Sequence, residues 1–470
     1  MSPTKEPLLP AIPPSPLPPW AAAMHATLHD RTTGVLVGSA LGDTIGLYTE
    51  FLSAASAAAL YPARRFTLAG PDGQPTPFHL DLHRAPKEPR HWTDDTDHAL
   101  LLLLAYLHTS APLAQGPLPT QFDFAARLRV WVTQGFRPLD TMPLGLGRLV
   151  GSVVSSKGFV EDPEKLARER WESTKRQAAP NGSLMRTHAL GVICSGLKEV
   201  EAFKVAADIS RVTHVDPRCV VSCVIGTGLV RAVVRGEVRD DGTLIKVVER
   251  AVDWFKKEGK KASDGDVVWD ELWKHVKPEG GLDGLKLDDQ ATMGYVFKTL
   301  GSGVVLLRMA IGRAAASRGG FLDRSRVFEE LITDLIMRGG DADTNACFAG
   351  ALLGGYLGYS WLPDHWKHGL KHEEWLLGKA DALSEVLGYK EGEYSGRKDK
   401  DTEVQGGRPA LSQEQMEARW MVLQQSTGQK IKKIEDTAKA SSSKAVVSKT
   451  SSSKSFSLSW AMPWHSRHKE

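Results

Sequence analysis

Four glycines spaced by four, Gly34, Gly38, Gly42 and Gly46, run through the segment GVLVGSALGDTIG, and a second stripe, Ala346, Gly350, Gly354 and Gly358, follows the segment RGGDADTN. Residues four apart share one face of a helix, and each interior glycine costs a helix about 1 kcal/mol against alanine. Two such stripes need a packing reason. Removing side chains along one line lets another backbone approach closer than the usual helix axis separation of about 8 to 10 Å. The spacing therefore predicts two closely packed helices, the stripes meeting each other or each meeting a third helix. Further helix signals cover 97–108, 124–131, 163–176, 200–209, 218–235, 243–257, 295–315, 324–337 and 344–357, whereas strand-like alternation with hairpin turns is scarce. Residues from about 24 to 395 are thus expected to form one all-α domain, larger than average.

The flanks differ. Residues 1–23 are rich in proline and are expected to be a disordered lead without core. From about Gly396 to the end the chain turns to Lys, Ser, Asp and Gln, a low-complexity basic and serine-rich tail with one short amphipathic helix expected over 413–425. A net charge of +3 gives no global bias toward nucleic acid or membrane, so a site for a charged ligand has to be local. The N-terminal segment lacks the apolar stretch of a secretory signal, and the longest uninterrupted apolar run, 99–107, is about half of what spans a bilayer. These features point to a cytoplasmic protein, with the nucleus an open alternative, and to a monomer with neither a nucleic-acid nor a membrane partner. Four cysteines are too few and too unevenly spaced for a disulfide framework. Cys219 and Cys223, near His214, would suit zinc, but in the apolar run CVVSCVIGTGLV they read more simply as small core residues.

Three segments carry candidate chemistry. Asp43 and Glu50, seven apart, would fall nearly on one line of the first striped helix. HWTDDTDH places Thr93, Asp94, Asp95 and Asp97 at a helix start, where Thr and Asp cap free N–H groups and complement the helix dipole. Three carboxylates in four positions exceed what a cap requires, and their repulsion is relieved by a hard cation with oxygen ligands. RGGDADTN repeats the arrangement roughly 250 residues later with Asp341, Asp343 and Thr344. Together the oxygens of Thr93, Asp94, Asp95, Asp341, Asp343 and Thr344 would hold two octahedral cations completed by waters. Asp288-Asp289 reads as a helix cap.

These segments, with NGSLMR (181–186) and Thr213-His214, occur in an order that resembles the ADP-ribosylglycohydrolases, the group that includes the hydrolase reactivating dinitrogenase reductase. The resemblance runs through most of residues 34–360. It implies a compact all-α fold, two Mg²⁺ or Mn²⁺ ions per chain, and hydrolysis at C1 of the distal ribose of ADP-ribose carried by a protein or a small metabolite. It also implies that Thr93, Asp94, Asp95, Asp341, Asp343 and Thr344 are the metal ligands, with Glu50 the acidic residue near the substrate. Gly145 and Gly147, Asn181 and Ser183, and His214 resemble substrate-binding positions, with a helix-capping or simply hydrogen-bonded histidine the alternative for His214. Met185 reads as core.

Either Glu50 or Asp341 would take the proton from water. Ala189, where the family has proline, and Leu149, where it often has threonine, depart from the pattern and bear on substrate choice. A catalytically silent ADP-ribose-binding or structural protein of the same fold, and a dinuclear phosphate-ester hydrolase, are the alternatives.

Overall fold

The computed structural model describes residues 18–111, 116–316 and 324–442; the first 17 residues and the serine-rich end of the tail lie outside that range. Among the described residues there are seventeen α-helices and three isolated β-bridges, with no strand ladder. Eight helices carry the argument: α1 (Pro19–Gly46), α2 (Asp94–His108), α3 (Gln121–Gln134), α4 (Glu199–Arg211), α5 (Pro217–Val234), α6 (Val296–Ala316), α7 (Ala342–Leu357) and α8 (Glu373–Leu387).

The helix starts follow from local chemistry. Thr120 and Asp123 form a reciprocal capping box at α3, and Asp216 accepts the N–H of Arg218, the second residue of α5, which opens on Pro217. Every residue of α1 from Thr32 to Gly46 is buried, as is every residue of α7 from Ala342 to Gly355, so neither has a polar face and both run through the centre. Their stripes meet. A Cβ at Gly34 would lie 2.2 Å from the Gly354 carbonyl oxygen, one at Gly38 2.5 Å from that of Gly350, and one at Gly42 1.9 Å from that of Ala346. The pairing is antiparallel, and it is the most extensive helix contact among the described residues. Gly358 leaves the stripe: it ends α7 at φ +95°, where a side chain would run into the Asp30 carboxylate.

By length and composition α5 and α6 would both cross a membrane, yet 94% and 61% of their apolar stretches are buried inside the protein. The sequence signals missed several short helices and α8.

Two expected boundaries move. α1 begins at Pro19 and buries Ala21, so structure starts inside the expected lead. At the other end the main unit runs to Ala410, not 395. Gly396 N–H donates to Ser110 O at 3.0 Å, and Arg127 donates to the carbonyls of Thr402, at 2.6 Å, and Glu403. Lys379 pairs with Asp399 and Asp401. Composition misled here because this stretch is held through its backbone and charges rather than through apolar side chains. A second unit comprises residues 80–88 with 411 onward. In it a helix over Gln413–Ser442 extends well past the expected 413–425, and Lys430 donates to Ala85 O at 3.0 Å.

Candidate active site at the ends of the striped helices

Because α1 and α7 run antiparallel with their stripes in register, the last turn of α1 meets the first turn of α7. A Cβ at Gly46 would lie 2.3 Å from the Asp343 Cα, so glycine here is what admits the acidic helix start. One turn earlier on α1, Asp43 is fully buried and reaches the start of α2. It accepts the Thr93 and Thr96 N–H groups at 3.0 and 3.1 Å and their hydroxyls at 2.9 and 2.6 Å. Asp43 is therefore the tie between the first striped helix and the second acidic cluster. The sequence singles it out, but assigns it no place in the metal set.

α1 stops at Gly46, so Glu50 does not share a helix line with Asp43 as expected. It sits on the turn beyond, where Glu50 N–H still bonds the Gly46 carbonyl at 3.1 Å. Gly340 then bonds both residues that follow Glu50, Phe51 N–H to Gly340 O at 2.6 Å and Gly340 N–H to Leu52 O at 2.9 Å, beside a short antiparallel bridge between Ser53 and Gly339. Gly339 and Gly340 adopt φ +66° and +70°, left-handed conformations that glycine takes without steric cost. This contact sets Glu50 beside Asp341.

Two groups of acidic oxygens result, each lying within 4.8 Å of one another: Asp43, Asp95 and Asp343, and Glu50, Asp341 and Asp343. Asp343 belongs to both. Of the six expected ligands, Asp95, Asp341 and Asp343 lie in these groups. Thr93 bridges by offering its hydroxyl to Asp43 and Asp95, and Thr344, buried, places its N–H on Asp343 Oδ1 at 2.9 Å. Asp94 belongs to neither group and faces Gly145, where a Cβ would lie 2.0 Å from its Oδ1. Asp97 turns away: its two oxygens accept the indole N–H groups of Trp92, at 2.9 Å, and Trp131, at 2.8 Å. The sequence could not say which of three neighbouring aspartates serves packing.

The electrostatics are those of a site built for positive charge. Burial, then the charges of Asp43 and Asp341, push the Asp95 carboxyl well above its ordinary range. Burial pushes Asp43 up to about 6 against four hydrogen bonds, and burial followed by the Glu50 charge raises Asp341. Among the described residues Asp95 Oδ1 is buried without a hydrogen-bond partner. Such an atom is costly unless something else satisfies it.

The NGS loop joins this cluster to His214. Asn181 donates from Nδ2 to Asp341 Oδ2 and to Thr299 Oγ1, both at 2.9 Å, and Thr299 passes its proton to Asn345 Oδ1 at 2.7 Å. Gly294 accepts the Asn181 N–H at 3.0 Å. Thr299 and Gly294 carried no signal in the sequence, since each is a single polar or small residue inside an otherwise ordinary stretch, and Asn345 closes the RGGDADTN segment without being assigned a role there. Gly182 lies against the His214 ring, while Ser183 is fully buried and accepts the Cys223 thiol at 3.3 Å. Cys219 donates to Pro180 O, and among the described residues no metal-holding group contains a cysteine or histidine, so the zinc alternative finds no geometry. Gly147 opens the short helix 148–154 with open space where its side chain would be. Leu149 packs half-buried on the core and Ala189 is buried in the helix 188–193. Asp288 caps the helix starting at Ala54, accepting its N–H at 2.9 Å, and Asp289 caps a turn through Ala291 and Thr292.

Comparison with known proteins bears on the same span. Over 366 residues the chain is 25% identical to an uncharacterized protein of Archaeoglobus fulgidus, covering 76% of this chain and 97% of that one. Over 370 residues it is 22% identical to the ADP-ribosyl-dinitrogen reductase glycohydrolase of Rhodospirillum rubrum, covering 77% and 98%. A solved ADP-ribosylglycohydrolase-related protein complex matches at 21% identity and a TM-score of 0.43, over 77% of this chain and 99% of that one. A family model described as ADP-ribosylglycohydrolase matches residues 24–392, from the first striped helix through α8, and on that match the chain belongs to the ADP-ribosylglycohydrolase family.

Proposed function

We propose that this protein hydrolyses the bond between C1 of the distal ribose of ADP-ribose and its acceptor, releasing ADP-ribose, with two Mg²⁺ or Mn²⁺ ions per chain. The observation that carries the reading is the pair of acidic groups sharing Asp343, in a member of a glycohydrolase family. Hard oxygen donors, a buried carboxylate oxygen without a partner, and carboxyls raised by burial and mutual repulsion all fit two such cations. Asp43, Thr93, Asp95 and Asp343 would hold one, and Glu50, Asp341, Asp343 and Thr344 the other, with Asp94 at the edge. When bound, such cations neutralise the clustered carboxylates and act as Lewis acids toward ribose hydroxyls and water.

The chain's own residues do the rest. Asn181 fixes Asp341 by one oxygen, within the group that also holds Glu50 and Asp343. Either Glu50 or Asp341 would accept the proton from the attacking water and return it to the departing acceptor. Gly145 leaves room for Asp94, and the NGS loop lines the approach toward His214. We take the protein to act as a cytoplasmic monomer.

The test is incubation of the purified protein with Mg²⁺ or Mn²⁺ and a panel of arginine-linked, serine-linked and small-molecule ADP-ribosyl conjugates, reading free ADP-ribose by mass spectrometry. Release from at least one conjugate, abolished by Asp343→Asn, is expected. Release of inorganic phosphate instead would point to a phosphate-ester hydrolase. Tight ADP-ribose binding without turnover on any conjugate would mark a silent binder.

A further inference from the structure

We infer that Thr213 and Arg186 are positioning residues that fix His214 as the neutral tautomer protonated on Nε2, so that the loop presents a hydrogen-bond donor to an anionic oxygen of the ligand. Arg186 is fully buried and donates from Nη2 to the Thr213 hydroxyl and to Ile209 O, both at 2.9 Å. The Thr213 oxygen in turn lies 2.7 Å from His214 Nδ1. A hydroxyl has one proton to give. If Nδ1 carried a proton, the Thr213 oxygen would accept from both neighbours and its own proton would be buried with no acceptor in reach among the described residues, an expensive arrangement. The proton therefore runs from Thr213 to Nδ1. Burial and the adjacent Arg186 and His98 disfavour a charged ring, which leaves the imidazole proton on Nε2.

Two further features show where Nε2 is aimed. It has no protein partner among the described residues, and unlike the ring nitrogens of His98 it is not sealed from solvent. In front of it stands Gly182, where a Cβ would come within 3.3 Å of both Nε2 and Cε1, so glycine keeps the approach open. Arg186 lies 4.7 Å over the Phe124 ring and has no carboxylate ion pair among the described residues. Its uncompensated charge behind the imidazole favours a negatively charged acceptor, such as a phosphate oxygen. Only the identity of that acceptor rests on the reading of the ligand as ADP-ribose.

Labelling histidine with ¹⁵N in the full chain and recording long-range ¹H–¹⁵N correlations reads the tautomer, with the His214 signal assigned by its loss in His214→Gln. The expected result is an Nε2–H ring in the wild type. Thr213→Val, which removes the hydroxyl and keeps the shape, is expected to mix the tautomers and weaken ADP-ribose binding by about tenfold, and Thr213→Ser to restore both. An Nδ1–H or doubly protonated ring in the wild type overturns the inference, and the wild-type spectrum decides this even if Thr213→Val does not fold. So does a Thr213→Val protein with wild-type tautomer and affinity. If the wild type shows the Nε2–H ring but binds no ADP-ribose, the ligand reading fails and the tautomer assignment stands.

Discussion

Gly46→Ala adds one methyl group at the point where α1 hands over to the acidic start of α7. The new Cβ would lie 2.3 Å from the Asp343 Cα and 2.6 Å from both the Asp343 nitrogen and the Ala342 oxygen. Ordinary contact begins near 3.4 Å, so one helix end has to retreat by about 1 Å. The partner atoms are backbone, with no flexible side chain to yield. Against this strain the substitution gains about 1 kcal/mol of helix propensity, while overpacking a tight contact costs about 1 to 3 kcal/mol or more. Net destabilisation of up to about 2 kcal/mol is expected. The larger effect falls on the site, because a shift of about 1 Å in positioned groups costs on the order of 100-fold in rate, and Asp343 belongs to both acidic groups. Gly312→Ala in α6 is the control: that position is exposed and a Cβ there meets nothing within 4 Å, so it should gain about 1 kcal/mol. Urea unfolding gives the stabilities, and Mn²⁺ titration calorimetry gives the affinity. Wild-type stability and Mn²⁺ affinity in Gly46→Ala, beside the expected gain in Gly312→Ala, would refute the claim that the stripes set the site.

Other outcomes can be checked separately. Asp343→Asn is expected to remove both Mn²⁺ binding events in calorimetry, whereas Asp95→Asn and Glu50→Gln should each remove one; two intact events in Asp343→Asn would contradict the shared position. His188 donates from Nδ1 to Met185 O, and burial lowers its pKa from 6.5 to about 4. Between those values the unfolded chain binds a proton that the folded protein refuses, so this residue's contribution to stability falls as pH drops from about 6.5 to about 4. The stability gap between wild type and His188→Gln should therefore narrow over that window, by up to about 3 kcal/mol; a gap independent of pH argues against a buried neutral ring. Ending the chain at Ser395 should lower Tm by several degrees more than ending it at Ala410, because Arg127 and Lys379 lose buried partners; equal Tm values would show that the 396–410 segment packs only loosely.

What could be read from sequence divides along a physical line. Periodic features were legible: both glycine stripes, the acidic helix starts they bring together, and the all-α class, since spacing alone encodes a helix face. Features set by long-range partners were not. Nothing near Asp97 announces that two tryptophans claim it, one of them 34 residues away. Nothing near Thr299 announces that it relays between Asn181 and Asn345. Asp43 was visible as a carboxylate next to a stripe, but its task of capping α2 depends on how helices 50 residues apart cross. The 396–410 segment was misassigned because its composition is that of a tail while its backbone bonds are those of a core edge.

The antiparallel seam between α1 and α7 also dictates an order of events at birth. Residues about 300 positions apart must meet before either stripe is covered, and contacts so distant in the chain form slowly because a long loop has to close first. A nascent chain emerging at about 5 to 20 residues per second exposes α1 for tens of seconds before Gly354 leaves the ribosome. Throughout that interval a helix whose second half is wholly buried in the finished protein lacks its partner, and the aspartates of the two acidic groups are still apart. Assembly of the acidic site is thus a late event, and the protein's yield in a cell depends on whatever shelters the first helix until the last third of the chain arrives.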